Sequence, residues 1–434
     1  MKISVDFTKT VGKIKPFHAV NNAPILGSGN FSMFHYLREA GIPFSRLHDT
    51  GGEYGKSVFV DIENILRNFD ADETDPASYD FAFTDILLEN IMKQGTMPFF
   101  RLGTTIENYH RVKAYHIYPP KDNLKWAKIC EGIINHYNHG WANGFHYNIV
   151  YWEIWNEPDN EPEIQNNPMW KGTKEQYFEL YHTASVYLKK NFPYIKIGGY
   201  SSCGFYALTG GFVGDAKSSS RTDYFVEFFE EFLKYISSEQ TKSPLDFFSW
   251  HSYASCESNC LYTRFAREKL NQYGFAHTEN ILNEWNPGIH RRGTEADACY
   301  ILEMMLKLHR EPLDMLMYYD GQVHGDYQGL FDPVHHTVFP AYYAIHSFGE
   351  LYALENEVQS ETQGIPCIAA ANGTVGKLLL VNTQKEPISV TLELEGAKIT
   401  KCRVLEGTNG LVEIPLKEGL MLPEEKIVML EFTL

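Results

Sequence analysis

Along the chain, runs of aromatic and β-branched residues alternate with stretches whose apolar positions recur every three to four residues, and each run closes on polar side chains. The runs read as strands covered on both faces, and the stretches as amphipathic helices. Strands are predicted at 16–22, 42–47, 97–103, 147–154, 195–200, 245–250, 281–286 and 315–319. Helices are predicted between and after them, at 31–40, 81–93, 124–137, 173–190, 224–236, 261–273, 296–309 and 341–352. Strand–helix units repeated in this way predict an α/β protein, a (β/α)8 TIM barrel. From about residue 357 the helical period stops, and short strands at 378–381, 390–394, 402–405 and 427–434 alternate with Gly, Pro and Asn turns. That is the pattern of a small β-sandwich. The expected division is 1–15 as a strand joining the sandwich, 16–355 as the barrel, and 356–434 as the sandwich. The run Gly373 to Lys377 lacks the spacing and the following Ser or Thr of a phosphate loop and reads as a hairpin turn.

Composition narrows the function. A formal net charge of -17 argues against a nucleic-acid partner or an anionic membrane surface. The seven cysteines are scattered, with no C-x-x-C pair, so neither a disulfide framework nor a zinc knuckle is indicated. Reduced thiols, and an amino terminus without the apolar core of a signal peptide, give a cytoplasmic protein as the expectation. No run is long enough to span a membrane, no cofactor is indicated, and a homo-oligomer is left open.

Chemistry concentrates at two strand ends. In Tyr151-Trp152-Glu153-Ile154-Trp155-Asn156-Glu157-Pro158-Asp159, Pro158 has no N–H to continue the ladder, so Glu157 lies at the carboxyl end of the fourth strand. Indole rings around such a carboxyl raise its pKa and keep a proton for donation, which makes Glu157 a candidate general acid. Glu284, in Asn283-Glu284-Trp285-Asn286, ends the seventh strand in the same manner. Three strand–helix units separate the two, which puts them across the barrel mouth from one another. Two carboxyls about 5 Å apart can cleave a glycosidic bond with retention, one as acid/base and one as nucleophile.

These residues carry a family resemblance. Trp155-Asn156-Glu157-Pro158 and Asn283-Glu284-Trp285 resemble the acid/base and nucleophile motifs of clan A glycoside hydrolases, with Asn283 where Thr is usual. Arg46-Leu47-His48, the run from Asp246 to Tyr253 with its His-Ser-Tyr ending, and a barrel followed by a sandwich are most similar to glycoside hydrolase family 39, which includes β-xylosidases and α-L-iduronidases. The resemblance implies Glu157 as acid/base and Glu284 as nucleophile. Arg46 is suited to keep Glu284 ionised, Asn156 to bind the sugar 2-hydroxyl, and Tyr253 to donate to Glu284. His251 shares Tyr253's face, His48 is a candidate for a hydroxyl, and Trp285 and Tyr319 are candidate faces for the sugar ring. Loops 51–75 and 159–172 are expected to wall the cleft. His335-His336 and the pair Cys256 and Cys260 are the clusters that hint at metal, but neither has a third partner, so no metal site is expected.

The expected activity is that of a retaining exo-glycosidase on short oligosaccharides, first of all a β-xylosidase. The same mechanism on a β-glucoside, β-galactoside, arabinoside or uronide is the alternative. For a uronide, Arg291 and Arg292 are the candidate carboxylate binders. A non-catalytic glycan-binding barrel is the rival from another class.

Overall fold

The computed structural model describes residues 1–25, 33–48, 60–105, 116–211, 218–323, 328–415 and 419–434. Strand β1 (Lys2–Lys13) leads into a closed parallel barrel formed, in chain order, by β2 (Ala19–Asn21), β3 (Phe44–Leu47), β4 (Met97–Leu102), β5 (Tyr151–Ile154), β6 (Lys196–Ser202), β7 (Phe247–His251), β8 (Glu279–Trp285) and β9 (Met315–Tyr318). Helix α1 (His35–Glu39) follows β2; α2 (Ile62–Ile65) and α3 (Ala82–Met92) follow β3. The remaining strands are followed in turn by α4 (Asn123–His139), α5 (Lys174–Asn191), α6 (Ser218–Ser237), α7 (Cys256–Gln272), α8 (Glu295–His309) and α9 (Pro340–Tyr352). Helices α4, α5, α7 and α8 start where the sequence supplies a side-chain acceptor for a free N–H group. Asp122 caps α4 through Lys125 N–H, and Thr173 with Gln176 forms a capping box on α5.

The alternation of side chains along each strand builds the barrel in layers. Phe100, Leu102, Trp152, Ile154, Phe248, Trp250, Leu282 and Leu316 point outward into the core shared with the helices. Ala19, Phe99, Tyr151, Phe247, Ile281, Met315 and Met317 plug the interior at one end. Two residues further along the same strands come Asn21, Arg101, Glu153, Ser249 and Asn283, all buried, with Arg46 of β3 in the same layer. Arg46 is the hub of that layer. Its Nε donates to Glu153 Oε2 at 2.8 Å, Nη1 to Asn21 Oδ1 at 3.0 Å, and Nη2 to Asn156 Oδ1 at 2.6 Å and Ser201 Oγ at 2.8 Å. Ser249 Oγ and Asn283 Nδ2 donate to the other Glu153 oxygen, each at 2.6 Å. Removing one partner of such a pair leaves a buried charge uncompensated. Arg46→Met should therefore lower unfolding free energy by about 3–5 kcal/mol, read as a shift in denaturant midpoint at pH 7; a shift below about 1 kcal/mol would show that Glu153 needs no counter-charge.

After a short hairpin, β10 (Phe331–Asp332) with β11 (Thr337–Val338), the carboxyl-terminal part adds β12 (Asn356–Thr362), β13 (Cys367–Asn372), β14 (Val375–Asn382), β15 (Ile388–Glu395), β16 (Lys398–Leu405), β17 (Leu411–Ile414), β18 (Leu420–Leu422) and β19 (Lys426–Thr433). The strands β12 to β19 and β1 pair in one continuous mixed order, β17-β16-β19-β14-β13-β12-β1-β15-β18. β1 lies antiparallel to β12 and parallel to β15. The central strands are buried on both faces. Ala369, Leu378, Leu380, Val428 and Leu430 face a core with Ile3, Val5, Val390 and Leu422, while Ile368, Ala370, Leu379, Val381, Ile427 and Met429 belong to the core of the barrel and its helices. Lys377 and Arg403 reach Glu350 of α9. The sheet is thus welded to the barrel.

Several elements differ from expectation. Residues 147–150 form no strand, because the Asn138 amide on α4 takes both backbone groups of Ile149, at 2.7 and 2.9 Å. β12 and β13 were not foreseen: the first is mostly polar, and the second carries three consecutive alanines of low strand propensity. Of the expected helix 31–40, residues 31 and 32 lie outside the described residues. Among the described residues, no helix is long and apolar enough to cross a membrane.

Candidate active site

Past Ile154 the chain turns sharply, with Trp155 at φ 74° and Glu157 at φ 46°, a left-handed conformation unusual for these residues. The turn is held from several sides. Trp155 N–H donates to Leu102 O at 2.8 Å, its indole N–H to Met169 O at 2.9 Å, and Glu157 N–H to the carbonyls of Tyr200 and Ser201 at 3.2 and 3.1 Å. Gly103 permits it, since a Cβ there would stand 3.0 Å from Trp155 Cα. The result aims the Glu157 carboxyl into the mouth.

Glu284 reaches the mouth by a different device. Strict alternation would turn it outward, because Asn283 already faces the interior. The pairing of β8 slips on both sides, from Leu282 opposite Trp250 to Glu284 opposite His251, and from Leu282 opposite Leu316 to Trp285 opposite Tyr318. The extra residue is a bulge, and it lets both Asn283 and Glu284 face inward.

His251 stands between the carboxylates. Its Nδ1 lies 2.7 Å from Glu157 Oε1, and its Nε2 lies 3.5 Å from Glu284 Oε2. Glu157 Oε2 also accepts from Asn160 Nδ2 at 2.8 Å, and Arg221 anchors Asn160. Tyr253 donates to Glu284 Oε1 at 2.6 Å, and Arg46 Nη1 lies 3.3 Å from Oε2. Since a guanidinium only donates, Asn156 must present Oδ1 to Arg46, which turns its Nδ2 away from the guanidinium. The carboxylates, His251, Asn156 and Arg46 are all less than a tenth exposed except Glu157, which is half-buried; the Tyr253 ring is 40% exposed, so it marks the open side.

The structure thus brings together Glu157, Glu284, Arg46, Asn156, His251 and Tyr253. His48 and Tyr319 sit with ring centres 6.5 Å apart in the inward-facing rows. Trp285 offers no face to a sugar: it is 1% exposed and packs edge-on against Tyr318. Arg291 lies over the Tyr300 ring at 5.0 Å, and Arg292 is half-buried near Asp297. Of the loop 51–75, residues 51–59 lie outside the described residues. Glu153, Asn160 and Ser201 escaped the sequence reading. Glu153 had a signal: it is an acid two residues beyond inward-facing Tyr151 in an otherwise apolar strand.

The electrostatics correct another expectation. Burial pushes the Glu157 carboxyl up, but hydrogen bonds from His251 and Asn160 and the His251 charge outweigh it, and the group titrates below its usual range. Burial and the Glu157 charge raise Glu284 against the opposition of His251, Arg46 and Tyr253. Burial lowers His251, yet the two carboxylates more than reverse that and raise it. The expectation of a raised Glu157 therefore fails because its donors, His251 and Asn160, outweigh the burial around it. Arg46 is likewise a shared counter-charge, closer to Glu153 than to Glu284.

Nearby, burial and the Glu157 charge push Asp159 up to about 7, against hydrogen bonds from Ser202 Oγ and Cys203 N–H. The folded chain therefore keeps a proton that the unfolded chain releases near pH 4, and stability falls as pH rises from about 4 to about 7. Asp159→Asn should flatten that slope by up to one proton, measured as Tm between pH 4 and 8; an unchanged slope would mean that Asp159 is already ionised in the fold.

A parallel barrel with a carboxylate pair across its mouth, oxygens of the two acids lying within 4.8 Å of one another, is built as glycoside hydrolases are built. That is the class the fold and site define. Residues 1–287 match the glycosyl hydrolases family 39, and the chain belongs to this family and is a glycosidase. It is 23% identical over 466 residues to a beta-xylosidase of Caldicellulosiruptor saccharolyticus, covering 95% of this chain and 84% of the relative. Its fold is similar to that of a glucosidase from Croceicoccus marinus, with TM-score 0.76, 17% identity and coverage of 100% and 98% of the two chains. It is also similar to a monomeric beta-xylosidase from Caulobacter crescentus, with TM-score 0.69, 15% identity and coverage of 100% and 99%.

Proposed function

We propose that the protein is a retaining, exo-acting β-xylosidase in which Glu284 is the nucleophile and Glu157 the acid/base. The observation that carries the mechanism is the spacing: one oxygen of each acid lies within 4.8 Å of the other, which fits the retaining arrangement, about 5–5.5 Å between carboxyls, better than the about 6.5–9.5 Å of an inverting one. The sugar assignment rests on the relative named a beta-xylosidase, which spans nearly the whole chain.

Glu284 attacks the anomeric carbon, and the bond to the leaving oxygen breaks as Glu157 protonates it. The proton comes along the 2.7 Å contact from His251 Nδ1 to Glu157 Oε1, which turns a carboxylate–imidazolium pair into a carboxylic acid beside a neutral imidazole. Water, deprotonated by Glu157, then displaces Glu284 from the glycosyl intermediate. Asn156 Nδ2 is suited to bond the 2-hydroxyl, and Tyr253 holds the nucleophile from the open side.

Product NMR during cleavage of an aryl β-xyloside tests the mechanism. β-Xylose should appear first and then mutarotate; α-xylose appearing first would sink the retaining reading. Across a nitrophenyl glycoside panel, the β-xyloside should be cleaved fastest. A tenfold preference for the β-glucoside would overturn the sugar assignment alone, whereas sugar binding without turnover of any member would favour the non-catalytic barrel.

A further inference from the structure

Behind the Glu157 carboxyl stands a side chain that takes no part in the steps of hydrolysis. Residues 157–160 form a turn in which Asn160 N–H donates to Glu157 O at 3.1 Å, and the Asn160 side chain folds back so that Nδ2 donates to Glu157 Oε2 at 2.8 Å. The far end of that turn is gripped from outside. Arg221, in the first turn of α6, donates from Nε to the Asn160 carbonyl at 2.6 Å and from Nη2 to Asn160 Oδ1 at 2.7 Å. Nε and Nη2 share one edge of the guanidinium, so a planar fork holds one residue at two points. The buried Phe225 ring backs the fork, with its centre 5.6 Å from Arg221 Cζ.

This grip has two effects on Glu157. A guanidinium only donates, so it fixes Asn160 with Oδ1 outward and Nδ2 toward the carboxyl; the flipped amide would set Oδ1 against a carboxylate oxygen, acceptor against acceptor. The grip also anchors the far end of a turn whose near end, Glu157, is at φ 46°, a conformation that a non-glycine residue keeps only when its surroundings over-determine it. We propose that Arg221 is a positioning residue for the acid/base: acting through Asn160, it sets the place and orientation of the Glu157 carboxyl, and with them how well the leaving oxygen is protonated. This role rests on the reading of Glu157 as acid/base. The other contact of Arg221, an ion pair with Glu161 at 3.1 Å, joins side chains 34% and 28% exposed and is of the kind that contributes little.

Steady-state kinetics of the full chain on xylobiose and on a dinitrophenyl xyloside separate this role from a merely structural one. In Arg221→Ala, kcat/KM on xylobiose should fall about 10- to 100-fold. The dinitrophenyl xyloside, which leaves without a proton, should change by less than about threefold. Asn160→Ala should show the same selective loss, and the double variant should be no worse than Asn160→Ala alone, because both substitutions break one chain of contacts. Arg221→Lys, which keeps charge and bulk and carries the test if the alanine variant unfolds, should lose nearly as much, since an ammonium has no fork to span both oxygens. Glu161→Gln should leave both rates unchanged, and circular dichroism with Tm checks that each variant is folded. Equal losses on the two substrates, additive losses in the double variant, or wild-type rates in Arg221→Lys overturn the proposal. If Glu157→Gln shows the selective loss and Arg221→Ala does not, Arg221 has no positioning part and the acid/base reading stands. If Glu157→Gln lacks it as well, that reading fails and the positioning role falls with it.

Discussion

Replacing Glu284 with alanine should reduce kcat on an aryl β-xyloside by a factor on the order of 10⁴ to 10⁶, because a nucleophile has no substitute among the neighbouring groups. Tyr253 and Arg46 are donors, and His251, between the two acids, has its Nδ1 committed to Glu157. The loss should not come from unfolding, since Arg46 keeps its 2.8 Å pair with Glu153 when Glu284 is gone. Azide, a small anion that fits the vacated carboxylate, should restore much of the rate and give the α-glycosyl azide, the inverted product. Turnover within about tenfold of wild type, or rescue that yields the β-azide, would remove Glu284 from the nucleophile's role.

The second large effect is one of kind as well as size. In Glu157→Gln the side chain keeps its shape and still accepts from His251 Nδ1, but it has no proton to give. For xylobiose, whose leaving oxygen needs that proton, kcat/KM should fall on the order of 10³- to 10⁴-fold. For a dinitrophenyl xyloside, which leaves without help, kcat/KM should change by less than about tenfold. Steady-state kinetics on the two substrates decides it: an equal loss on both would show that Glu157 does something other than protonate the leaving group.

How far the sequence foretold this site depends on which periodicity was at work. The barrel was legible because strand and helix periods alternate eight times between residue 16 and residue 352, and Glu157 because Pro158 stops its strand. Glu284 was found by its likeness to Glu157, although the bulge that turns it inward leaves no mark in composition. What stayed hidden was the pairing across the barrel. That Arg46 braces Glu153, or that His251 spans both acids, follows from strands brought together by closure. Trp285 was misjudged because an aromatic beside a catalytic acid looks the same in sequence whether it faces sugar or Tyr318.

The placement of β1 has a further consequence, for synthesis. Met1 and its strand find their partners at residues 356–362 and 388–395, and the first barrel strand pairs with residues 317 and 318. At about 5–20 residues per second, a ribosome needs roughly 20 to 80 s to supply β15. Throughout that time Ile3, Val5 and Phe7 are an apolar strand with nothing to pair with, the kind of edge that recruits neighbouring nascent chains. Slower initiation or cooler growth, which spaces those chains apart, should raise the soluble yield more than any change at the catalytic mouth.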